Sequence, residues 1–278
     1  LILIGTGAAW YYNAVNIGYS ILALIGLLLT HISVNVLNDY FDFKSGVDLK
    51  TIKTPFSGGS GILPAGLLTP KQVLAYGITA FVLALPIGIF FVIVQGWQLI
   101  PILILGGICV FFYTPMILKI DFPEWSPGLG LGILPVLGAF FVQTGTYTAE
   151  ILIASIPSGI LVCNLLLLNE FPDAEADLIG NKRTLPIRAG KKKSAFVYSG
   201  LTILVYVWIA IAVITGWMPI FCLLGLLTVP FAYKAIKGSF HYNEMNKIVP
   251  AMASNVVIVL ATQFLIGAGF IISRIVGI

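Results

Sequence analysis

The chain has 278 residues, 59% of them hydrophobic and 9% charged, with a formal net charge of +4. Soluble domains run at about 45–50% apolar and about 25% charged, so this composition excludes a soluble globular domain. It points to an all-α, polytopic membrane bundle. The small positive charge is no nucleic-acid signal, because it is confined to the loops of one membrane face.

About nine apolar spans of membrane length can be drawn, forming one transmembrane domain over 1–278. They fall near 1–13, 15–38, 71–95, 97–119, 127–145, 149–170, 194–215, 217–236 and 249–274. The chain opens on Leu1 directly in apolar sequence, so the first span is expected to start upstream of it. No basic n-region or cleavage site of a signal peptide is visible. Turn chemistry marks most boundaries, as at Gln95-Gly96-Trp97, Gly145-Thr146-Tyr147 and Gly216-Trp217. Cys109, Cys163 and Cys222 sit singly in apolar runs and read as small buried hydrophobes. His31 and His241 have no partner at metal-ligand spacing.

Two connections are long and polar, 39–70 and 171–193. With these spans, every one of the 15 basic residues except Arg274 falls on a single face, and every acidic residue except Glu150 falls there too. Lys and Arg mark the cytoplasmic side, whereas Asp and Glu do not normally follow that rule. The co-location therefore describes one charge-dense mouth opening to the cytoplasm of a multi-pass protein of the cell membrane. The second and sixth spans both end in an acidic motif. Their offset of four spans is even, which makes a weak parallel internal repeat rather than an inverted one.

The first motif reads Asn38-Asp39-Tyr40-Phe41-Asp42, followed by Asp48. The second reads Asn169-Glu170-Phe171-Pro172-Asp173, followed by Glu175 and Asp177. Carboxylates at a membrane boundary are costly unless they face a polar cavity or bind a cation. On a helix Asn38 shares a face with Asp42, Asp39 neighbours Asp42, and Asp173 shares a face with Asp177. Two such faces opposed across a bundle suit Mg²⁺, which takes one or two carboxylates and completes its shell with phosphate and water. One cluster alone reads equally well as helix-end charge in solvent; two matched clusters on one face argue against that. Pro172 is expected to break its helix near Asn169, so Asn169 need not share a face with Asp173.

Around these motifs lie residues suited to an anionic substrate. Gly58-Gly59-Ser60-Gly61 presents backbone N–H groups to a phosphate or forms a flexible turn. Lys182 and Arg183 follow the second motif and bring cations to a diphosphate, with Lys119 and Arg183 the favoured pair. Tyr113 and Lys119 sit at the inner end of the fourth span, where the lysine contacts a phosphate or snorkels to the interface.

These residues resemble the UbiA superfamily of intramembrane prenyltransferases over essentially the whole chain. The resemblance rests on Asn-Asp-x-x-Asp after the second span, Asp-x-x-x-Asp after the sixth, and the nine spans. The runs from Asn38 to Asp48, from Gly58 to Leu67 and from Gly180 to Leu185 resemble its menaquinone-type branch, the 1,4-dihydroxy-2-naphthoate polyprenyltransferases. The superfamily often carries a further Asp four residues after Asp42, where this chain has Gly46, and Asp48 comes two residues later. The branch often carries a basic residue where this chain has Pro172.

The resemblance implies Mg²⁺-dependent transfer of a polyprenyl group from an allylic diphosphate, such as geranylgeranyl diphosphate, to an aromatic acceptor. It implies Asn38, Asp39, Asp42, Asp173, Asp177 and Asp48 as metal-site residues, and Ser60, Tyr113, Lys119, Asn169 and Arg183 as substrate-binding residues. In that branch the acceptor is a dihydroxynaphthoate, which loses its carboxylate. Archaeal relatives prenylate a glycerophosphate lipid instead. An ion-coupled secondary transporter is the competing class, but transporter sites lie near the membrane midplane in broken helices, not at helix ends on one face.

Overall fold

The computed structural model of the chain describes residues 1–278 and is helical throughout, with no strand. Its helices are α1 (Ile2–Tyr11), α2 (Ile17–Ser45), α3 (Pro70–Gln95), α4 (Ile100–Phe111), α5 (Trp125–Gly128), α6 (Leu134–Thr144), α7 (Ala149–Asp177), α8 (Leu185–Ala189), α9 (Lys191–Ile214), α10 (Val229–Ser239) and α11 (Met245–Val276). A π-helical turn joins α5 to α6, and a 3₁₀ stretch, Ile220–Thr228, leads into α10. Seven of the resulting helices are long and apolar enough to cross a membrane; Ile2–Tyr11 and Trp97–Phe111 are shorter apolar helices.

The ends follow local chemistry. Asn16 caps α2 by accepting from the Tyr19 N–H, and Gly46 at φ 85° closes it. Thr69 and Gln72 form a capping box at the start of α3. The expected span 97–119 is shorter in the structure, because α4 stops at Phe111. Pro115 disfavours helix at the residue before it, and the chain unwinds there.

Two other boundaries run longer than expected, and both matter for the site. α2 continues through its acidic motif to Ser45, and α7 continues through Pro172 to Asp177. The expected break at Asn169 does not occur. Phe171, fully buried, and the buried Ala174 clamp both sides of Pro172 into the core. Inside a bundle, neighbouring groups compensate the backbone bond that a proline removes.

α7 is the central helix; 61% of its apolar window is buried, against 11% for α2. Gly132 lies so close to α7 that a Cβ there would meet Gly159 Cα at 2.6 Å, so glycine is what permits this approach. On its other side, Asn164 donates to Tyr198 O at 3.1 Å and to Thr202 Oγ1 at 2.9 Å, and the Tyr198 hydroxyl donates to Asn255 Oδ1 at 2.9 Å. Asn255 returns a bond to Asn164 O at 3.2 Å. Such bonds contribute about 0.6 kcal/mol each between membrane helices. Here they fix the rotation of α7 against α9 and α11, and so the direction its acidic residues face. Ile25, Leu28, Ile93, Ile203, Leu260 and Phe264 point outward, as lipid-facing positions should.

Candidate active site

The extended α2 and α7 carry their polar residues into one cavity of ≈ 1080 Å³. From α2 it is lined by Asn35, Asn38, Asp39 and Asp42, spaced as one helical stripe. From α7 it is lined by Asn169, Glu170, Asp173 and Asp177, again one stripe because Pro172 leaves the helix intact. Asp48, in the turn after α2, and Tyr113, after α4, complete the polar end. Away from the mouth the walls become apolar, with Phe81, Leu85, Ile89, Leu103 and Leu131 among them. Ala23 and Asp42 both line the cavity, and at 1.5 Å per residue they lie on the order of 28 Å apart along α2. That approaches the roughly 30 Å thickness of a bilayer's hydrocarbon core.

Lys182 is the one cationic side chain lining this cavity. Its Nζ lies 2.9 Å from Asp42 Oδ2 and 2.7 Å from Asp177 Oδ1, and so it bridges the two motifs. Burial by itself would lower the Lys182 pKa; the Asp177 and Asp42 charges outweigh it and hold the ammonium above the ordinary lysine range. Asn38 donates to Thr114 Oγ1 at 3.0 Å.

The loop between α2 and α3 closes over the acidic residues. The Ser57 hydroxyl donates to Asp173 Oδ1 at 3.3 Å, and the Ser60 N–H to Asp39 Oδ1 at 3.3 Å. Between them Gly59, at φ 67°, lies against both Asp39 and Asp48; a Cβ there would stand 3.2 and 3.1 Å from their Oδ1 atoms. The run Gly58–Gly61 is thus a cover on the mouth, tied to one carboxylate of each motif. Burial, and then the charges of Asp42 and Asp39, push the Asp48 carboxyl up to about 7.

Two expected residues lie elsewhere. Arg183 does not line the cavity; its Nε pairs with Asp121 Oδ1 at 2.9 Å, and Arg188 joins the same carboxylate at 2.8 Å. The backbone decides this, since the Arg183 N–H donates to Leu118 O at 2.8 Å while its carbonyl accepts from Phe122. Lys119 lines a smaller hollow of ≈ 260 Å³ with Lys44, on the far side of Asp42 and Lys182. Lys182 occupies the position expected of Arg183. Ser57 and the buried Glu170 were not singled out from the sequence as site residues. Glu170 was legible in principle, lying three residues before Asp173 and so on its face.

No three His, Cys, Asp or Glu side chains converge on a ready-made cation cage. The donor set nonetheless fits Mg²⁺: Asp39, Asp42 and Asp48 face Asp173 and Asp177 across one cavity with a single lysine among them. That leaves a charge deficit for cations, and Mg²⁺ takes few carboxylates and fills its shell from phosphate and water.

A family model described as the UbiA prenyltransferase family matches residues 1–270. The chain belongs to the UbiA prenyltransferase family. A Bacillus subtilis relative named 1,4-dihydroxy-2-naphthoate octaprenyltransferase is 32% identical over 277 residues, covering 98% of this chain and 87% of the relative. A relative of the same name from Escherichia coli is 25% identical and covers 98% of this chain and 90% of its own. Two solved structures share the fold. One, from work on digeranylgeranylglyceryl phosphate synthase, has a TM-score of 0.62 at 18% identity, covering 99% of this chain and 91% of its own. The other is a UbiA homologue from Archaeoglobus fulgidus bound to GPP and Mg²⁺, with a TM-score of 0.61 at 11% identity, covering 95% of this chain and 94% of its own. As a UbiA-family member the chain is a membrane-embedded prenyltransferase, an enzyme whose polar mouth and apolar bore now have named walls.

Proposed function

We propose that this enzyme transfers a polyprenyl group from an allylic prenyl diphosphate to a dihydroxynaphthoate ring, with loss of the ring carboxylate, in menaquinone biosynthesis. The observation that carries this reading is one continuous cavity, acidic at one end and apolar beyond it, whose whole length is comparable to a membrane core. An isoprenoid tail fits the apolar bore and its diphosphate fits the mouth. The relatives named 1,4-dihydroxy-2-naphthoate octaprenyltransferase support the choice of acceptor.

Asn38, Asp39, Asp42, Asp173 and Asp177 would hold Mg²⁺, with Asp48 at the edge. The bound cation supplies electrostatic stabilisation for the departing diphosphate. Lys182 adds a fixed positive charge beside both motifs. Ser57, Gly58, Gly59 and Ser60 cover the diphosphate, and Asn169 and Tyr113 line the wall below it. Burial, followed by the charges of Glu170, Asp177 and Glu124, keeps the Tyr113 phenol protonated. An aromatic ring there can face the allylic cation left when the diphosphate leaves, while the dry bore keeps water from it. The acceptor ring carbon then forms the new bond and releases its carboxylate as CO₂.

In this reading the domain is single, with two shorter apolar helices joining the seven long ones as nine crossings. Its two motif-bearing helices are parallel repeats, its mouth faces the cytoplasm from the cell membrane, and lipid rather than nucleic acid surrounds it. Product analysis tests it. Purified protein is given geranylgeranyl or octaprenyl diphosphate, Mg²⁺ and a panel of acceptors, with products read by mass spectrometry. The expected result is a decarboxylated prenyl-naphthol, lost on chelation and lost with Asp42→Asn or Asp173→Asn. A prenylated glycerophosphate with no naphthol product would overturn the acceptor, and full turnover in chelator would overturn the cation.

A further inference from the structure

One wall of the cavity has more unmet hydrogen-bonding capacity than diphosphate binding uses. Glu170 is 5% exposed, lines the cavity, and has no hydrogen-bond partner on its carboxyl oxygens other than the neighbouring Glu124 carboxyl. Asn169 Oδ1 and Thr184 Oγ1, the latter on a residue 1% exposed, line the same cavity and are also without partners. Ser126, fully buried, adds a hydroxyl whose neighbour is the Cys109 thiol, a weak partner. Buried polar atoms of native proteins are paired, so such a group of orphans needs an explanation.

Glu170 precedes Asp173 by three residues on α7, so it sits about one helical turn from Asp173, on the membrane side. The buried Glu124 lies beside Glu170, with one of its own oxygens occupied by the Leu185 N–H. Two carboxyl groups so close repel an anionic headgroup, and a hydrogen-bond donor between them relieves the repulsion. Even a bond across that pair would leave a Glu170 oxygen open, because each carboxylate has two. The wall is therefore rich in acceptor atoms and fits a hydrogen-bond donor rather than a phosphate.

We propose that Glu170, Asn169 and Thr184 form the hydroxyl-recognition subsite for the prenyl acceptor, taking a ring hydroxyl of a hydroxyarene as donor. This rests on the function proposed above and adds where the ring is held and by which of its groups. A phenolic hydroxyl donating to Glu170 satisfies a buried carboxyl oxygen and fixes the orientation of the ring that must attack the allylic carbon. A glycerophosphate headgroup would bring negative charge against the Glu170–Glu124 pair.

The test compares Michaelis constants for acceptor and prenyl diphosphate separately, in lipid nanodiscs with Mg²⁺. Substrates are 1,4-dihydroxy-2-naphthoate and its two mono-O-methyl ethers; proteins are wild type, Glu170→Gln, Glu170→Asp and Thr184→Val. Glu170→Gln exchanges one acceptor oxygen for an NH₂, and should raise the acceptor KM roughly 3- to 10-fold. The prenyl diphosphate KM should stay unchanged, and Glu170→Asp should recover part of the loss. On wild type, one methyl ether should be a far poorer acceptor than the other, and Glu170→Gln should shrink that difference. An unchanged acceptor KM in Glu170→Gln, or equal rises in both constants, overturns the subsite. Should the variants fail to fold, wild type decides alone: two methyl ethers accepted as well as the parent overturn it. Wild type that prenylates no naphthoate at all refutes the function proposed above, whereas naphthoate turnover indifferent to Glu170 refutes the subsite only.

Discussion

Lys182 has an unusual burden for a lysine in a membrane protein: it is buried, doubly paired, and lines the cavity in which the proposed function places substrate and cation. Removing one partner of a buried ion pair costs on the order of 3–5 kcal/mol, because the other charges stay buried and uncompensated. Here they are Asp42 and Asp177, with side chains 11% and 7% exposed. Lys182→Met should lower the melting temperature markedly in chelator, and Mg²⁺ should restore much of the loss by supplying the missing charge. An equal drop with and without Mg²⁺ would show that cations do not reach these carboxylates. Arg183→Met should do little in either condition, since its pair with Asp121 is half exposed and such pairs contribute about 0–1 kcal/mol. The sequence makes both basic residues visible and does not distinguish them. What separates them is the turn at Asn181, with φ 54°, and the backbone bonds that hand Lys182 to Asp177 and Arg183 to Leu118. Side-chain direction after a helix end depends on such tertiary contacts, and no local pattern encodes them.

At the scale of elements, α2, α7 and the loop over them act together. The motifs were legible as helical stripes; that the helices continue through them was not. An acidic run after an apolar one looks like a span boundary, and Pro172 looks like a breaker. Packing of Phe171 and Ala174 overrides that local signal, and the result is better chemistry, because Asn169, Glu170, Asp173 and Asp177 stay on one rigid face. Rigid elements position charges more finely than loops do. The cover is a loop, and Gly59, at φ 67°, is where it meets the Asp39 and Asp48 carboxylates. An L-residue in the left-handed region costs roughly 1–2 kcal/mol. A Cβ at 59 also stands against the Asp39 and Asp48 oxygens. Gly59→Ala should therefore weaken prenyl diphosphate binding about tenfold by lifting the loop, and leave the melting temperature nearly unchanged. Unaltered binding, read by titration calorimetry with Mg²⁺, would mean the loop does not cover the diphosphate.

For the whole molecule, charge and hydropathy carry most of the information. Seven of the nine apolar spans match helices long enough to cross a membrane, most of them to within a few residues, because a bilayer admits few alternatives to a helix. The span that fitted worst, α4, is the one whose end is set by Pro115. Orientation follows from the same constraint. Apart from Arg274, the basic residues lie on the end of the bundle that holds the acidic mouth, where α2 and α7 finish and α3 and α9 begin. Positive charge resists translocation, so that end should stay in the cytoplasm. Four exposed positions test this: Thr146→Cys and Thr215→Cys at one end, Pro55→Cys and Lys192→Cys at the other. Each is placed in a background where the native cysteines Cys109, Cys163 and Cys222 are changed to Ala. A membrane-impermeant thiol reagent applied to intact cells should label the first pair, and should label the second pair only after the membrane is opened. The reverse pattern would put the mouth outside, where an enzyme fed by prenyl diphosphates made inside the cell could not reach them, and the placement of its chemistry argued here would fail with it.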